Sequence, residues 1–595
     1  MLDGRKMSSK GKTSLPPPPS ENGQSGRKKG IPFALYFWVV LGGFGVVSMF
    51  LAHSTGDHAP IALSRKRMQL QESKVSLSQR RRQKEAQQAS GGEEITIPKS
   101  HPLAGLSCLD HGGPSDELAS EMVYWEDIPL DNKHKSPFYA PNRYLTFEPD
   151  HGGWNNIRMA METTIALAYA MGRTLVLPPA QEMYLLDKKH GNKKPHFSFA
   201  DFFDMPAIHA EHNGFDIISM EEFLNRQVEG TTPLLSVMPP GNRTNWDGSA
   251  DALDRYFQKN ARNLIWDPNR CIAFFPPTPD HDTKKVESLF EDILQNKKPK
   301  FEDYVGKPTP QNASLSDRLA EFTAERVRLC LYGPELQHEP VVHFPMTGKD
   351  PNDPKADPRL LVHFYAFLFF ENYHQDLWMK RFVRDHVRYT DEIQCAAARV
   401  VAAMREKVRT IHGRADGLFN TMHVRRGDFQ YKKTRVSAEK LVEAMKKSFQ
   451  DGDVVYIGTD ERDKSFFEPL NESYHIYFLD DFIANGAVGK DINSNYYGMI
   501  DQLTASRGKL FLGCWFSTFT GYINRLRGYH SQKQKEPGYE KGNIMTSFYY
   551  APPDRFNHMH EYYPVKKSFY AREFPTGWMQ LNSDLEGRLA ETTER

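Results

Sequence analysis

The sequence predicts an α/β protein with two domains that face each other across a cleft, preceded by a single transmembrane helix and a stem. Three observations support this fold class. An uncharged apolar run covers residues 31–52, and a strand, a glycine-rich turn, a helix and a second strand follow one another within residues 142–178. Strands and helices alternate again from residue 418 onward, as the crossovers of a parallel sheet require.

Length and charge restrict the class of protein. A chain of 595 residues is too long for one ordinary core and predicts about two to four domains. Residues 1–90 carry a net charge of +10, and the remainder carries −9. The folded part is therefore mildly acidic and lacks the basic field that nucleic-acid binding needs.

The apolar run IPFALYFWVVLGGFGVVSMFLA, residues 31–52, is long enough to cross about 30 Å of hydrocarbon. Arg27, Lys28 and Lys29 stand directly before it, so the positive-inside rule places the 1–30 tail in the cytosol and the rest of the chain in a lumen. A cleaved signal peptide is the alternative, but the run is longer than a usual signal core and begins after 30 residues. We expect a type II membrane protein.

The 53–135 segment is rich in Ser, Gln, Arg, Lys and Gly, and we expect a largely disordered stem, with ordered structure beginning near Phe138. Three glycosylation sequons at Asn242, Asn312 and Asn471 agree with a lumenal location.

Cysteine is sparse in this chain. The five cysteines allow at most two internal bridges, whose pairing the sequence leaves open, and their spacing does not suggest structural zinc.

The first α/β unit begins with the strand NRYLTFEP, continues through the turn HGGWNNIR and an apolar helix, and ends in a strand at Pro178. It opens an N-terminal domain predicted to span residues 136–385. The apolar stretch Leu360–Phe370 is too short to cross a membrane and predicts a buried strand or helix. A helix is predicted over Asp391–Val408.

The second unit opens a C-terminal domain predicted to span 386–595. Its predicted strands and helices, in order, are LFNTMHV, AEKLVEAMKKSF, DVVYIGTD, YHIYFL, YYGMIDQLTASR and KLFLGCW.

Polar residues gather where these strands end. In the glycine turn, Gly153 would let a ligand approach the backbone and Asn155 would contact it, although a tight turn with an asparagine cap is the alternative. Alternation in NTMHVRRGD puts His423 and Arg425 on one face, where they could bind an anion. Arg426 would point the other way, into a structural salt bridge.

The third cluster lies in GCWFSTFTGYINRLRG, where a strand meets a helix. Ser517, Thr518 and Thr520 would face an anion at the helix N-terminus, although capping by Ser517 is equally consistent with the pattern. Asp460 in YIGTDE resembles half of a metal-binding pair, but the sequence offers no persuasive second half.

Taken in order, GGWNNIR with GRTLVLPP, MHVRRGDF, YIGTDE and DQLTASRGKLFLGCWFSTFTGYINRLRG resemble the GDP-fucose protein O-fucosyltransferase superfamily. The resemblance implies a GT-B-like fold of two Rossmann-like domains, GDP-fucose as the donor between them, and no metal or other cofactor. It implies that Asn155 lines the sugar and phosphate site and that Arg425 is the residue most important for catalysis. The remaining implied donor contacts are Gly153, His423, Asp501 (to guanine), Ser517, Thr518 and Phe519.

The acceptor is less well indicated. The resemblance implies inverting transfer of fucose to a Ser or Thr of a protein in the Golgi or endoplasmic reticulum. However, the glutamate that one branch carries in the glycine turn is replaced here by Gly152 and Gly153, and Asp150 is the nearest candidate general base. A glycan acceptor and an inactive lumenal binding protein are the alternatives. An adhesion protein that uses Arg426-Gly427-Asp428 is disfavoured, because this tripeptide follows a buried-type strand.

Overall fold

The structure, a computed structural model, describes residues 105–126, 128, 131, 134–150, 152–183, 186, 196–205, 208, 215–229, 249–260, 271–297, 299–304, 309–324, 326–345, 367–427, 432–515, 517–541, 546–550 and 580–585. All of them belong to one compact unit, Ile97–Arg595. The predicted anchor at 31–52 and the Asn242 sequon lie outside the described residues. No helix within the described ranges is long and apolar enough to cross a bilayer.

Fourteen strands are described: β1 Tyr144–Phe147, β2 Thr174–Leu177, β3 Gln181–Glu182, β4 His196–Phe197, β5 Ile217–Ser219, β6 Cys271–Phe275, β7 Arg328–Leu331, β8 Val341–Phe344, β9 Leu368–Phe370, β10 Asn420–Val424, β11 Val454–Thr459, β12 His475–Tyr477, β13 Phe511–Cys514 and β14 Ser547–Tyr550.

The described α-helices are α1 Asp116–Ala119, α2 Trp154–Ala170, α3 Met220–Glu229, α4 Ala250–Asn260, α5 Lys284–Asp292, α6 Phe301–Tyr304, α7 Leu315–Thr323, α8 Pro334–His338, α9 Tyr373–His386, α10 Asp391–His412, α11 Ala438–Met445, α12 Glu468–Asn471, α13 Leu479–Ala484, α14 Tyr497–Ser506 and α15 Thr518–Gln534.

Two parallel sheets confirm the predicted α/β class. The first has the order β5-β2-β1-β8, and the second has the order β12-β11-β10-β13-β14. In each sheet a central strand, β1 or β10, is followed by the loop that carries the predicted site residues. Since all strands within a sheet run in the same direction, the loops after them meet at one edge.

A third, smaller parallel sheet has the order β7-β6-β9. Its strand β9 is the end of the apolar stretch Leu360–Phe370, so Leu368–Phe370 form a strand, while residues 360–366 lie outside the described part. Helix α10 begins at Asp391 as predicted and continues to His412, where Gly413 ends it with a φ of 66°.

Ordered structure starts earlier than the sequence predicted. Tyr124 and Trp125, inside the predicted stem, are buried in the same core cluster as α2 and α10. A disulfide joins Cys108 to Cys395 of α10. The expectation of a largely disordered segment as far as residue 135 is therefore wrong for 105–126, because buried aromatic rings and a covalent bridge outweigh the polar composition.

The second disulfide joins Cys271 to Cys330 on the adjacent strands β6 and β7, which leaves Cys514 as a buried thiol. The division into domains at 385 and 386 stays a prediction.

The segment before β1 and the C-terminal 580–585 segment both contact α9. The Arg381 guanidinium bonds to Asp131 with an Nε–Oδ2 distance of 2.6 Å and to Asp584 with an Nη1–Oδ1 distance of 2.6 Å. Arg381 also donates to the carbonyl of buried Leu581 at 2.7 Å. The 580–585 segment is thereby held against the core.

Candidate active site

Helix α2 carries the glycine turn to the centre of the fold. Gly153 is its N-cap residue, so the asparagine-cap alternative is wrong, and both asparagines lie inside the first turn. The Asn155 side chain accepts a hydrogen bond from Nε2 of Gln502 in α14 at 2.7 Å. Asn156 accepts one from the hydroxyl of Thr518 at the start of α15 at 3.1 Å. The first turn of α2 therefore joins the predicted N-terminal half to the predicted C-terminal half.

His423 is buried near the end of β10. Its Nδ1 lies 2.7 Å from the Thr520 hydroxyl, and its ring stacks on Phe519 with centroids 4.4 Å apart. Burial lowers the pKa of His423 to about 3, while Asp460 acts in the opposite direction and Arg425 lowers it further. The imidazole is therefore neutral at physiological pH, and Nε2 is the nitrogen that could meet a ligand.

Arg425 follows β10 directly and is held from two sides. Its guanidinium pairs with the carboxylate of Asp460, at the end of the neighbouring strand β11, and its backbone N–H donates to the Tyr550 hydroxyl at 3.3 Å. The same carboxylate accepts the backbone N–H groups of Arg426 at 2.7 Å and Gly427 at 2.9 Å. Asp460 thus positions both the loop and the Arg425 side chain. The sequence pattern, in which Asp460 resembles half of a metal-binding pair, did not predict this role.

Arg426 has the structural role that strand alternation predicted. Its Nε lies 2.8 Å from Glu461 Oε2, and its guanidinium lies 3.8 Å from the centre of the Phe466 ring. It also donates to the carbonyl of Val436 at 3.0 Å. Asp428, the last residue of the tripeptide, lies outside the described residues.

Helix α15 points its N-terminus at the same edge of the sheet. Ser517 is the N-cap residue by position, but its side chain makes no capping hydrogen bond within the described helix, which leaves the hydroxyl for another role. Thr520 accepts the backbone N–H of Cys514 at 3.1 Å. A Cβ on Gly513 would lie 2.2 Å from Thr520 Cγ2, so glycine is needed for α15 to come this close to β13.

Asp501 lies on α14 and faces β11. It accepts a hydrogen bond from the Tyr456 hydroxyl at 2.5 Å. Desolvation raises the pKa of this carboxyl group to about 7, although the Tyr456 bond acts in the opposite direction. A carboxylate that is poorly hydrated and has one fixed donor is suited to a ligand with further N–H donors.

A buried ion-pair triad connects α2 and α15. Glu162 lies 2.7 Å from Arg158 Nη1, and both its oxygens accept from Arg525 Nη2, at 2.7 and 2.9 Å. The Arg158 guanidinium also lies 3.7 Å from the centre of the Tyr522 ring. The sequence could have suggested the Arg158–Glu162 pair from its i, i+4 spacing, but not the third member.

Asp150 lies in the loop between β1 and α2. Its Oδ1 accepts the backbone N–H of Gly152 at 2.5 Å, and the residue is only 4% exposed. One oxygen of this carboxylate is thus bound within its own loop, and the role of Asp150 as a general base stays a prediction.

Two of the predicted sequons can be located. Asn312 and Asn471 are both exposed. Among the described residues there is no group of three or more His, Cys, Asp or Glu that could hold a metal ion.

Comparison with known proteins supplies the family. The model of the GDP-fucose protein O-fucosyltransferase family matches residues 144–530. The comparison with curated proteins found no match to this sequence.

Solved structures resemble the chain at low identity. POFUT1 in complex with GDP-fucose has 14% identity and a TM-score of 0.28, over 65% of this chain and 95% of the other. NodZ fucosyltransferase from Bradyrhizobium has 12% identity and a TM-score of 0.28, over 65% and 94%. An arginine-to-lysine mutant of Arabidopsis thaliana FUT1 with GDP has 10% identity and a TM-score of 0.29, over 76% and 79%.

Proposed function

The chain belongs to the GDP-fucose protein O-fucosyltransferase family and is a GDP-fucose-dependent fucosyltransferase; we propose that it transfers fucose to a Ser or Thr hydroxyl of a protein, with inversion and without a metal. We further propose that residues 31–52 anchor it as a type II protein in the Golgi or endoplasmic reticulum membrane, with the folded region in the lumen. Glycosylation at Asn242, Asn312 and Asn471 is part of the same proposal.

One observation carries the proposed donor site. Arg425 follows β10 directly, His423 lies near its end, and the N-terminus of α15 reaches the same edge with Ser517 and Thr518. Backbone N–H groups of a helix N-terminus and a guanidinium are the groups that proteins use for phosphates. A pyrophosphate at this edge would meet all of them.

The chemistry requires charge stabilisation at that place. Breaking the bond between fucose C1 and the phosphate oxygen leaves an oxocarbenium-like sugar and places negative charge on the departing GDP. A fixed Arg425 stabilises the transition state more than the bound donor, because the charge grows as the bond breaks. Neutral His423 adds a directed hydrogen bond without repelling Arg425.

The nucleotide would extend from this edge toward α14. In the proposed site, Asp501 accepts N–H groups of guanine, and Ser517, Thr518 and Phe519 complete the contacts. Gly153 and Asn155 line the sugar and phosphates from the α2 side. The Gln502–Asn155 hydrogen bond supports this placement, since Gln502 directly follows Asp501.

The decisive experiment compares Arg425→Ala with Arg426→Ala. Purified enzyme is supplied with GDP-fucose, GDP release is measured, and GDP binding is measured by calorimetry. We expect Arg425→Ala to lower turnover by about 10²–10³-fold, the usual effect of losing one group that stabilises developing charge. Arg426→Ala should act mainly on stability, through its contacts with Glu461 and Phe466.

Two outcomes would contradict the proposal. If the unmodified protein neither binds GDP nor releases it from GDP-fucose, the assigned donor site is wrong. If Arg426→Ala abolished turnover while Arg425→Ala did not, the face assignment would be wrong.

The acceptor class needs its own assay. Folded extracellular repeat domains and free glycans are offered in parallel, with and without EDTA. Transfer to a folded domain in the presence of EDTA supports the proposal. Transfer to glycans alone would instead support the alternative, a fucosyltransferase with a glycan acceptor.

A further inference from the structure

A carboxylate and a histidine meet at the carboxyl edge of the first sheet. Glu148 is the first residue after β1, and its backbone N–H still donates to the carbonyl of Phe344 at 3.0 Å. His343 is the third residue of the adjacent strand β8. Its Nε2 lies 3.3 Å from Glu148 Oε1. The pair thus occupies the edge at which parallel sheets place ligands.

The two partners differ in access to solvent. The His343 side chain is fully buried, whereas the Glu148 side chain is 23% exposed. Nδ1 of His343 lies 2.9 Å from the Thr146 hydroxyl, which also lies on β1. With the Thr146 hydroxyl donating to Nδ1, the Nε2–H of His343 donates a hydrogen bond to the Glu148 carboxylate. His343 then orients and stabilises a carboxylate that it does not itself expose.

A second carboxyl group, that of Asp254, interacts electrostatically with both Glu148 and His343. Asp254 lies on α4, a helix that packs on the sheet face carrying Tyr144 and Val341. Burial raises the pKa of Asp254 to about 6, while His343 opposes the shift and Glu148 adds to it. Asp251 and Arg255 of the same helix also act on Asp254. Its Oδ2 accepts a hydrogen bond from Gln258 at 3.0 Å, within α4.

The pair is connected to the proposed donor site by one short loop. Residues 148–153 lead from β1 to α2, and the first turn of α2 contacts Gln502 and Thr518 through its two asparagines. Within that loop, Asp150 is buried and bonded to the Gly152 N–H. Glu148 is the more exposed carboxylate, and it has a basic partner that fixes its orientation.

We propose that Glu148 is the general base that takes the acceptor's proton and that His343 is its positioning residue. The inference rests on the proposed fucosyl transfer. The acceptor oxygen forms a bond to fucose C1, the C1–phosphate bond breaks with its electron pair leaving on GDP, and the hydroxyl proton passes to the Glu148 carboxylate.

The test does not require the natural acceptor. Water can attack GDP-fucose to give fucose and GDP, and this reaction needs a base to remove a proton. Azide attacks as an anion to give fucosyl azide and GDP without losing a proton. Glu148→Gln should therefore slow hydrolysis by about 10²–10⁴-fold, the usual contribution of a general base.

Added azide should increase the rate of GDP release by the Glu148→Gln variant at least about tenfold, because an attacking azide needs no general base to remove a proton. The matched control is the Glu221→Gln variant, since Glu221 is an exposed residue of α3. This variant should hydrolyse GDP-fucose at the rate of the unmodified protein. Arg425→Ala should stay slow with azide, because it acts on the leaving group.

His343→Phe gives an independent readout, because it keeps a ring of similar shape and removes the nitrogen that donates to Glu148. Losing a donor to the Glu148 carboxylate raises the pKa of that group, so the acid limb of the hydrolysis–pH profile should move to higher pH. A purely structural His343 would lower the whole profile without moving its limb. This variant decides the matter if Glu148→Gln fails to fold.

Failures of the two proposals are distinguishable. An unmodified protein that neither binds GDP nor hydrolyses GDP-fucose contradicts the fucosyl transfer itself. If the unmodified protein hydrolyses GDP-fucose, the inference is overturned when Glu148→Gln hydrolyses it normally or is not restored by azide. The inference is also overturned if Asp150→Asn slows GDP-fucose hydrolysis and azide restores its GDP release, because Asp150 would then be the general base.

Discussion

Glu162→Gln is expected to destabilise the fold substantially while preserving the shape of the side chain. The substitution removes the negative charge that lies 2.7 Å from both Arg158 Nη1 and Arg525 Nη2. All three side chains are at most 1% exposed, so water cannot replace the lost charge. Removing one partner of a buried ion pair costs about 3–5 kcal/mol.

The expected melting shift follows from the size of the protein. An unfolding entropy of about 2.1 cal/mol/K per residue gives about 1 kcal/mol/K for a unit of about 500 residues. The melting temperature should then fall by about 3–5 °C, measured by tryptophan fluorescence or calorimetry. Because the triad joins α2 to α15, fucose transfer should fall as well.

A matched control exists on the surface. Glu222 and Arg226 form the same i, i+4 type of pair, with an Arg226 Nε–Glu222 Oε1 distance of 3.0 Å and side chains 51% and 38% exposed. Glu222→Gln should cost about 0.3–0.5 kcal/mol and shift the melting temperature by about 0.5 °C or less. Equal shifts for Glu162→Gln and Glu222→Gln would refute the burial argument.

Two further predictions concern the donor side. In Gly427→Ala, the new Cβ would lie 2.3 Å from Asp460 Oδ2. The displaced carboxylate would release Arg425, which should reduce transfer by about 10–150-fold, corresponding to about 1.5–3 kcal/mol for one charged hydrogen bond. Unchanged transfer by this folded variant would show that Asp460 does not position Arg425. Because the pKa of Asp501 is raised to about 7, GDP affinity measured by calorimetry should weaken as the pH falls from 8 to 6, as the carboxylate becomes protonated. Asp501→Asn should bind GDP weakly at both pH values, and an unmodified protein with pH-independent affinity would contradict the guanine contact.

Sequence patterns predicted much of the fold because the central strands of a parallel sheet are buried on both faces. The run DVVYIGTD contains β11 and LFNTMHV contains β10, each within a few residues of its observed bounds. Alternation along β10 also assigned Arg426 correctly to a structural ion pair. Each of these predictions depends only on the residue pattern within one short segment of the sequence.

Contacts between distant segments were not predictable in the same way. Cys108 and Cys395 are 287 positions apart, so composition alone made the segment before residue 126 look like a disordered stem. The sequence shows Asp460 as a carboxylate at a strand end, but its partner Arg425 follows a different strand, β10. No local pattern marks Glu148, because its partner His343 lies 195 positions away in the sequence.

The Cys108–Cys395 bond also decides how a mechanical load would travel through the protein. A pull on the chain before residue 108 passes through the disulfide into the first turns of α10, a helix of 22 residues. Tension therefore enters the fold at α10 and bypasses the first sheet, α2 and the glycine turn. Reducing that single covalent link would redirect the same force along residues 109–126 toward the strand that leads to the site.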